Sequence, residues 1–262
     1  NDYDYQRYAL SVVGQGNTPA DEEWYGYARL LFSETARKLA LTGKANIDQL
    51  FRYTTIVDPK ELHAFLKGTT AESLFTGADR ALASARFILS KKLSEHVRMP
   101  EGDFSLRGWL EDPKAGNLFI TWREDMQAAL RPLITAWIDI LCASILSLPE
   151  DSNRRLWMFL DELASLEKLP TLEDTLTKGR KHGVRVVAAL QAVSQFRTIY
   201  GRDSAMTLLS CFRSTLVLGG SRIDADTCDY MSRALGTHEV ERDRHSRNNS
   251  SGAKGEGWGT SD

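Results

Sequence analysis

Cysteine is scarce in this sequence, and neither sign of charge is in excess. The three cysteines, Cys142, Cys211 and Cys228, are widely spaced, with no CxxC pair and no histidine at ligand spacing. This spacing excludes a disulfide scaffold and a zinc site and favours a reducing cytoplasm. The 262 residues include 33 Lys and Arg against 35 Asp and Glu, for a net charge of −2. The composition therefore lacks a global signature of nucleic-acid binding, and any DNA contact must be local or arise from oligomer geometry.

Long apolar runs, an initiating methionine and a phosphate-binding loop are also absent. No run of about 18 apolar residues is present and the start is polar, so we expect neither a membrane span nor a signal peptide in this sequence. Because no Met opens the chain, we interpret it as a piece of a longer protein. The pattern Gly-x-x-x-x-Gly-Lys-Ser/Thr, whose backbone amides and lysine hold nucleotide phosphates, does not occur. We therefore expect this chain alone to bind nucleotide poorly.

Residues 1–102 carry helical patterns only and predict an all-α domain. A helix start is predicted at Thr18, where Pro19 takes the first helical position and Asp21 follows three residues after the cap. A later helix, over about residues 78–96, is basic on its polar side, and the basic residues there and just beyond are Arg80, Arg86, Lys91, Lys92, His96 and Arg98. Two interpretations of this basic side stay open: a solvated helix face and a contact with a phosphate backbone.

After residue 102, predicted strands and helices alternate. The strands cover residues 116–122, 155–160, 185–190 and 213–218, and the helices cover residues 127–148, 172–183 and 224–235. Strand, helix and strand in this order predict parallel pairing through right-handed crossovers. The continuous apolar run of the second strand is typical of a strand buried on both faces. Residues 241–262 are polar and glycine-rich, which predicts a disordered tail or loop.

Polar residues follow two of the predicted strands directly. Asp161 and Glu162 end the second strand, where open α/β sheets bind their ligands. The first carboxylate can hold a hydrated Mg²⁺ and the second can orient or deprotonate a water, which suits nucleotide hydrolysis. Alternatively, the acids belong to the first turn of a helix, where the dipole favours them. Gln191 ends the third strand and either lies near a γ-phosphate and the attacking water or caps a helix at Ser194.

The order of these segments resembles that of the type IV secretion coupling proteins of conjugative plasmids, the TraD/TrwB group. The likeness covers nearly the whole chain and rests chiefly on LWMFLDELASLEKLP at residues 156–170, LTKGRKHG at 176–183 and VVAALQ at 186–191. It implies an α/β fold, a RecA-like parallel sheet with helices on both faces, preceded by an all-α domain. The implied divisions are residues 1–102, residues 103–240 and the tail, with the phosphate loop and membrane helices upstream.

The resemblance also implies roles for four residues. Asp161 matches the Walker B aspartate that holds Mg²⁺ through water, and Glu162 matches the catalytic glutamate that polarises the attacking water. Gln191 matches the motif III glutamine near the γ-phosphate. Arg180 is the candidate arginine finger, reaching a nucleotide across a subunit boundary; without the family it would be a solvated cation at a helix end. The implied cofactors are ATP and Mg²⁺.

The implied function is that of a hexameric, ATP-dependent DNA translocase at the cytoplasmic face of a bacterial inner membrane. Its implied partners are single- or double-stranded DNA, a relaxase with relaxosome accessory proteins, and the proteins of the type IV secretion channel. One alternative is an FtsK-like double-stranded DNA translocase, a group with a similar acidic strand but no equivalent helical insertion. The other is a non-catalytic adaptor that docks the relaxosome through residues 1–102.

Overall fold

The computed structural model describes residues 2–16, 18–76, 79–100, 102–112, 114–219 and 225–236. The chain divides into two compact units, Asn1–Gly219 and Gly220–Asp262. The described α-helices of the first unit are α1 (Asp2–Val13), α2 (Pro19–Leu41), α3 (Ile47–Phe51), α4 (Pro59–Leu66), α5 (Asp79–Lys92), α6 (Ser94–Val97), α7 (Leu106–Glu111), α8 (Gln127–Ile145), α9 (Leu172–Lys178), α10 (Val193–Tyr200) and α11 (Arg202–Cys211). Its described strands are β1 (Leu156–Leu160) and β2 (Val184–Ala188).

A first hydrophobic core is formed by the helices that precede residue 98. The start of α2 is as predicted: Thr18 Oγ1 accepts a hydrogen bond from the Asp21 amide at 3.1 Å, and Pro19 occupies the first turn. The largest fully buried side chains of this core are Leu31, Leu39, Leu62, Leu66, Leu89 and Leu93. Up to residue 100 the described residues form helices and turns and no strand, as the sequence predicts.

A second hydrophobic core surrounds α8 and the two strands. Its buried side chains come from α8, from the segment that follows β1, and from α10 and α11; they include Ile134, Ile138, Leu160, Leu163, Leu169, Phe196 and Leu208. Ala136 of α8 belongs to the first core instead. One helix therefore contributes side chains to both cores.

The helical stretch Glu124–Ile145 is long and apolar enough to cross a membrane, with a mean hydropathy of 1.5. This holds by length and composition only, because Arg131 and Asp139 interrupt the stretch and the sequence contains no unbroken apolar run of this length. Within this protein 61% of the apolar stretch is buried, as expected of a helix at the centre of a core. Asp139, which interrupts the apolar run, is fully buried and hydrogen-bonded.

The two described strands pair in parallel, with Leu156 opposite Val184 and Leu160 opposite Ala188. Leu156, Met158 and Leu160 of β1 are buried or half-buried, whereas Trp157 and Phe159 on the other face are 55% and 70% exposed. The prediction that this strand is buried on both faces was thus wrong for this chain. The cause is that the described residues cover only one side of the sheet.

The segments 116–122 and 213–218 are not strands in the structure, contrary to the prediction. Phe119 is 80% exposed and Leu218 is 91% exposed. Their β-forming composition is not enough, because a strand exists only when a neighbouring strand accepts its backbone hydrogen bonds. Within the described part of the chain, neither segment has such a neighbour.

Some of the basic side chains predicted on one helix have partners within the chain. Arg86 donates a hydrogen bond to the Val57 carbonyl at 2.7 Å, and Lys92 is buried against a carboxylate of the second core. Arg98 pairs with Glu95 at 3.5 Å. Arg86 and Lys92 thus hold parts of this chain together, whereas Arg80, Lys91 and Arg98 are exposed and form a solvated face.

The burial of the His96 ring nitrogens makes the free energy of unfolding depend on pH. Neither ring nitrogen has a hydrogen-bond partner of good geometry among the described residues. Burial lowers its pKa to about 4, and the Lys92 backbone opposes this shift only in part. In the unfolded chain the histidine binds its proton near pH 6.5. The contribution of neutral His96 to the free energy of unfolding is therefore fully present above that pH and declines as the pH falls toward 4.

We expect acid to destabilise the wild-type protein more than the His96→Leu variant. At pH 5 the His96 contribution lost is about 2 kcal/mol, and the variant lacks this term. Urea unfolding at pH 7 and pH 5 measures the difference. An identical loss of stability in both proteins would contradict the role of His96.

The second unit holds one described helix, α12 (Ala225–Leu235), which matches the predicted helix from its second residue onward. Most of its side chains are exposed, and it ends at Gly236 with a positive φ of 74°. The predicted disordered tail, residues 241–262, lies outside the described residues.

Candidate active site

The carboxyl ends of β1 and β2 bring three of the predicted site residues to one edge of the sheet. Beyond the paired strands, the Ala189 amide donates to the Leu160 carbonyl at 2.9 Å, and the Leu163 amide donates to the Ala189 carbonyl at 3.0 Å. Asp161 and Glu162 therefore lie beside Ala189. Gln191 follows Ala189 by two residues. Parallel pairing is the cause, because strands that run the same way end at the same edge.

Glu162 carries an unsatisfied buried oxygen. Its Oε1 is buried and has no hydrogen-bond partner among the described residues. The Glu162 carbonyl is bound by Ser165, through the amide at 3.1 Å and the hydroxyl at 2.7 Å. A buried carboxylate oxygen without a donor costs free energy, so sites of this kind are rare unless a ligand or water supplies the donor.

The alternative explanation of the acid pair finds no support in the geometry. The residues after Glu162 form a short 3-10 turn, Leu163–Ser165, rather than an α-helix, and Glu162 makes no side-chain cap bond. Asp161 is exposed beside it. Among the described residues no cluster of three metal-ligating side chains exists. Mg²⁺ is usually bound by one or two carboxylates, substrate phosphates and several waters rather than by protein ligands alone. Asp161 suits a Mg²⁺ site of this kind.

Gln191 is exposed just beyond β2. The helix that follows, α10, begins at Val193, and the residue before it, Ala192, makes no side-chain cap bond. In the described part of the chain the Gln191 side chain makes no hydrogen bond to Ser194, which was its alternative role. The Gln191 amide is available to a ligand at the same edge as the acid pair.

A groove of about 1050 Å³ runs along β1 and reaches the acid pair. Its walls are β1, the segment around residues 115–122 and one side of α8; the lining includes Phe119, Trp122, Ile138, Arg155, Trp157 and Glu162. The expected strand 116–122 thus lies across this groove from β1 without pairing to it. The groove is mainly apolar, with Arg154 and Arg155 near the start of β1 and the two carboxylates near its end.

Arg180 lies at the opposite end of the sheet, in the 3-10 turn Gly179–His182 that leads into β2. The length of a five-residue strand separates it from the acid pair, roughly 15 Å. The turn is closed by two glycines. A Cβ on Gly179 would lie 2.3 Å from a Val184 methyl, and Gly183 has a φ of +84°. The structure therefore does not bring Arg180 to the carboxylates of its own chain.

The neighbours of Arg180 are engaged within the chain, whereas Arg180 is not. Lys178 pairs with Asp174 at 2.6 Å, and Lys181 pairs with Glu150 at 2.8 Å. The exposed Arg180 guanidinium has no hydrogen bond or ion pair in the described structure. It is thus the cation of this turn that remains available to a partner molecule.

Sequence reasoning did not identify the polar contacts that join the two cores. Lys92 of α5 pairs with Glu167, and Ser11 of α1 donates to Asp139 of α8 at 2.7 Å. The sequence did hold one indication of such a contact. Asp139 is the single carboxylate of the largely apolar α8, and a buried charge needs hydrogen-bond or ionic partners. The partners themselves are 75 and 128 residues away from the groups they bind.

A parallel sheet with a carboxylate pair and a glutamine at its carboxyl edge, next to a helical core, is typical of the class of RecA-like α/β proteins. The family model for the type IV secretion-system coupling protein DNA-binding domain matches residues 1–260, and the chain belongs to this family. This match confirms the resemblance seen in the sequence and favours it over the FtsK-like and adaptor alternatives.

Individual relatives agree with the family. The chain is 30% identical to the coupling protein TraD of Escherichia coli K12 over 216 residues, covering 78% of this chain and 30% of TraD. It is 28% identical to the conjugal transfer protein TraG of Rhizobium radiobacter, covering 93% of this chain and 36% of TraG. The chain therefore spans about a third of the length of these relatives.

Solved structures of the plasmid coupling protein TrwB confirm the fold. TrwB in complex with ADP and Mg²⁺ is 63% identical, with a TM-score of 0.89, over 93% of this chain and 59% of that one. TrwB in complex with a non-hydrolysable ATP analogue matches equally well. The predicted combination of an all-α domain and a RecA-like α/β domain is therefore correct.

Proposed function

We propose that this chain forms the all-α domain, residues 1–102, and the C-terminal part of the motor domain, residues 103–240, of a conjugative coupling protein that hydrolyses ATP to move DNA. The observation that carries this proposal is the Glu162 oxygen, buried without a donor at the carboxyl edge of the sheet. Asp161 and Gln191 flank it at the same edge. Membership of the coupling-protein family and the nucleotide complexes of TrwB support the same activity.

The side chains divide the chemistry between them. Asp161 would hold Mg²⁺ through water, and the ion would supply charge stabilisation at the phosphates. Glu162 accepts a hydrogen bond from the attacking water and orients it, because its Oε1 has no other donor in the described chain. Gln191 positions the same water or the terminal phosphate. The phosphate-binding loop that these steps need must come from a segment beyond this sequence.

We also propose an assembly, which the position of Arg180 supports, and a cellular location. An exposed, unpaired guanidinium at the far end of the sheet can complete the site of a neighbouring subunit, which supports a homo-hexameric ring. We place this ring at the cytoplasmic face of the inner membrane. There it would receive a relaxase with its accessory proteins and its single- or double-stranded DNA, and pass them to the type IV secretion channel.

Replacing Gln191 by Ala in the full-length protein tests whether Gln191 belongs to the hydrolytic site. ATP turnover is expected to fall by about 10- to 100-fold with little change in ATP affinity, because the amide acts at the reacting end, on the attacking water or the terminal phosphate, and not on the rest of the bound nucleotide. Gln195→Ala is the matched control, since Gln195 is also exposed and lies in the next helix. Phosphate release measures both. Equal turnover in the two variants would show that Gln191 is not part of the active site.

A further inference from the structure

The segment between Glu162 and α9 is anchored in the second core at every third residue. The anchors Leu163, Leu166, Leu169 and Leu172 are all 3% exposed or less. The Leu169 amide donates to the Tyr200 hydroxyl at 3.2 Å. We call residues 163–172 the connecting segment, because it joins Glu162 to the helix that leads to Arg180. Such anchoring leaves it little freedom to move independently of either end.

Lys92 links this connecting segment to the helices of the first core. Its Nζ lies 2.5 Å from Glu167 Oε2, and its side chain is 9% exposed. The ammonium also lies 5.9 Å from the centre of the Tyr25 ring. The Glu167 amide donates to Thr135 Oγ1 of α8 at 2.9 Å. A buried ammonium with one carboxylate partner is held firmly, because separating the pair leaves an uncompensated charge.

Asp139 forms a second link at the other end of the connecting segment. Its carboxylate is fully buried and accepts from the Thr171 amide at 2.8 Å and from the Ser11 hydroxyl of α1 at 2.7 Å. Arg7, also in α1, donates to Ser147 Oγ at 2.9 Å just beyond α8. Of the helices that precede residue 98, α5 therefore contacts the connecting segment directly, and α1 reaches it through Asp139 of α8.

We propose that Lys92 and Glu167 are positioning residues that couple the all-α domain to the hydrolytic groups of the motor. The proposal rests on the function proposed above. A ligand that shifts α5 moves Glu167 through the ion pair, and the anchored segment carries that shift to Glu162, five residues away. The pair touches neither nucleotide nor water, so it acts on kcat rather than on ATP affinity. DNA is the ligand whose effect the pair transmits, because the family model that matches residues 1–260 is that of a DNA-binding domain.

The test compares Lys92→Met, Glu167→Gln and the double variant in the full-length protein, with and without saturating single-stranded DNA. Each single variant is expected to reduce the stimulation of ATP turnover by DNA about fivefold or more. The DNA-free rate and the KM for ATP stay within about twofold of wild type. The double variant loses no more than either single variant, because one interaction is removed in all three. Glu167→Gln keeps the shape of the side chain but leaves the Lys92 ammonium unpaired, so the double variant, which removes both charges, is the check against misfolding.

Arg98→Met is the matched control, because Arg98 forms an exposed pair near the same helix end. Unchanged stimulation in both single variants, additive losses in the double variant, or an equal loss in Arg98→Met would overturn the coupling role. Glu162→Gln separates this outcome from failure of the proposed function. If Glu162→Gln abolishes turnover and the Lys92 variant behaves as wild type, only the coupling is wrong; if Glu162→Gln turns over normally, the proposed function itself is wrong.

Discussion

Replacing Glu162 by Gln in the full-length coupling protein is expected to lower ATP turnover by about 100-fold or more, a loss of about 2.7 kcal/mol of transition-state stabilisation. Gln has the same shape but no negative charge to polarise the attacking water. Glu162 Oε1 has no donor among the described residues, so the substitution breaks no hydrogen bond to that oxygen. Nucleotide affinity is therefore expected to stay near the wild-type value.

Steady-state phosphate release and binding of a fluorescent nucleotide analogue measure the two effects separately. Glu173→Gln is the control, because Glu173 is an exposed acid in the first turn of α9. A Glu162→Gln protein with normal turnover would rule out the catalytic assignment. A loss of equal size in Glu173→Gln would show that the effect is one of general charge.

Replacing Arg180 by Ala is expected to reduce turnover by about 10³-fold, the size of effect found when an arginine finger is removed. The side chain is exposed and unpaired in the described chain, so the folded state loses no contact. Lys181→Ala is the neighbouring control. It breaks only an exposed, solvent-screened pair with Glu150, and turnover is expected to stay within about twofold.

Mixing experiments distinguish action within a chain from action between chains. In a mixed ring, an Arg180→Ala chain keeps Glu162 and a Glu162→Gln chain keeps Arg180. A site between them has both groups intact when the arginine acts across the boundary. Turnover in the mixture is then expected to exceed that of either variant alone. A mixture no more active than its parents would contradict an arginine supplied by a neighbouring subunit.

The grouping of Asp161, Glu162 and Gln191 at one edge of the sheet was predictable, because it depends on the order of strands and helices along the chain. An apolar strand, a crossover and a second strand must run parallel, and parallel strands end together. Asp161, Glu162 and Gln191 follow those strand ends directly, so their proximity needs no knowledge of distant contacts. The same reasoning gives the α2 start at Thr18, where cap, proline and acid lie within four residues.

The errors concern features that depend on what lies elsewhere in space. Apolar composition made β1 resemble a strand covered on both faces, but composition does not say whether the covering segment belongs to the same chain. Segments 116–122 and 213–218 have suitable residues and no neighbouring strand in the described structure. Lys92 looked like part of a basic surface because its partner, Glu167, is 75 residues away. Such pairs are decided by tertiary packing.

The open face of β1 also has an optical consequence. Trp157 is half-exposed, lies 6.0 Å from the Phe159 ring, and has the Arg185 guanidinium 5.8 Å from its centre. An indole in such surroundings emits at a wavelength that depends on whether water or protein covers it. Because Trp157 is four residues from Asp161, its emission in a variant that lacks the other five tryptophans reports on any segment or subunit that covers the sheet beside the candidate site.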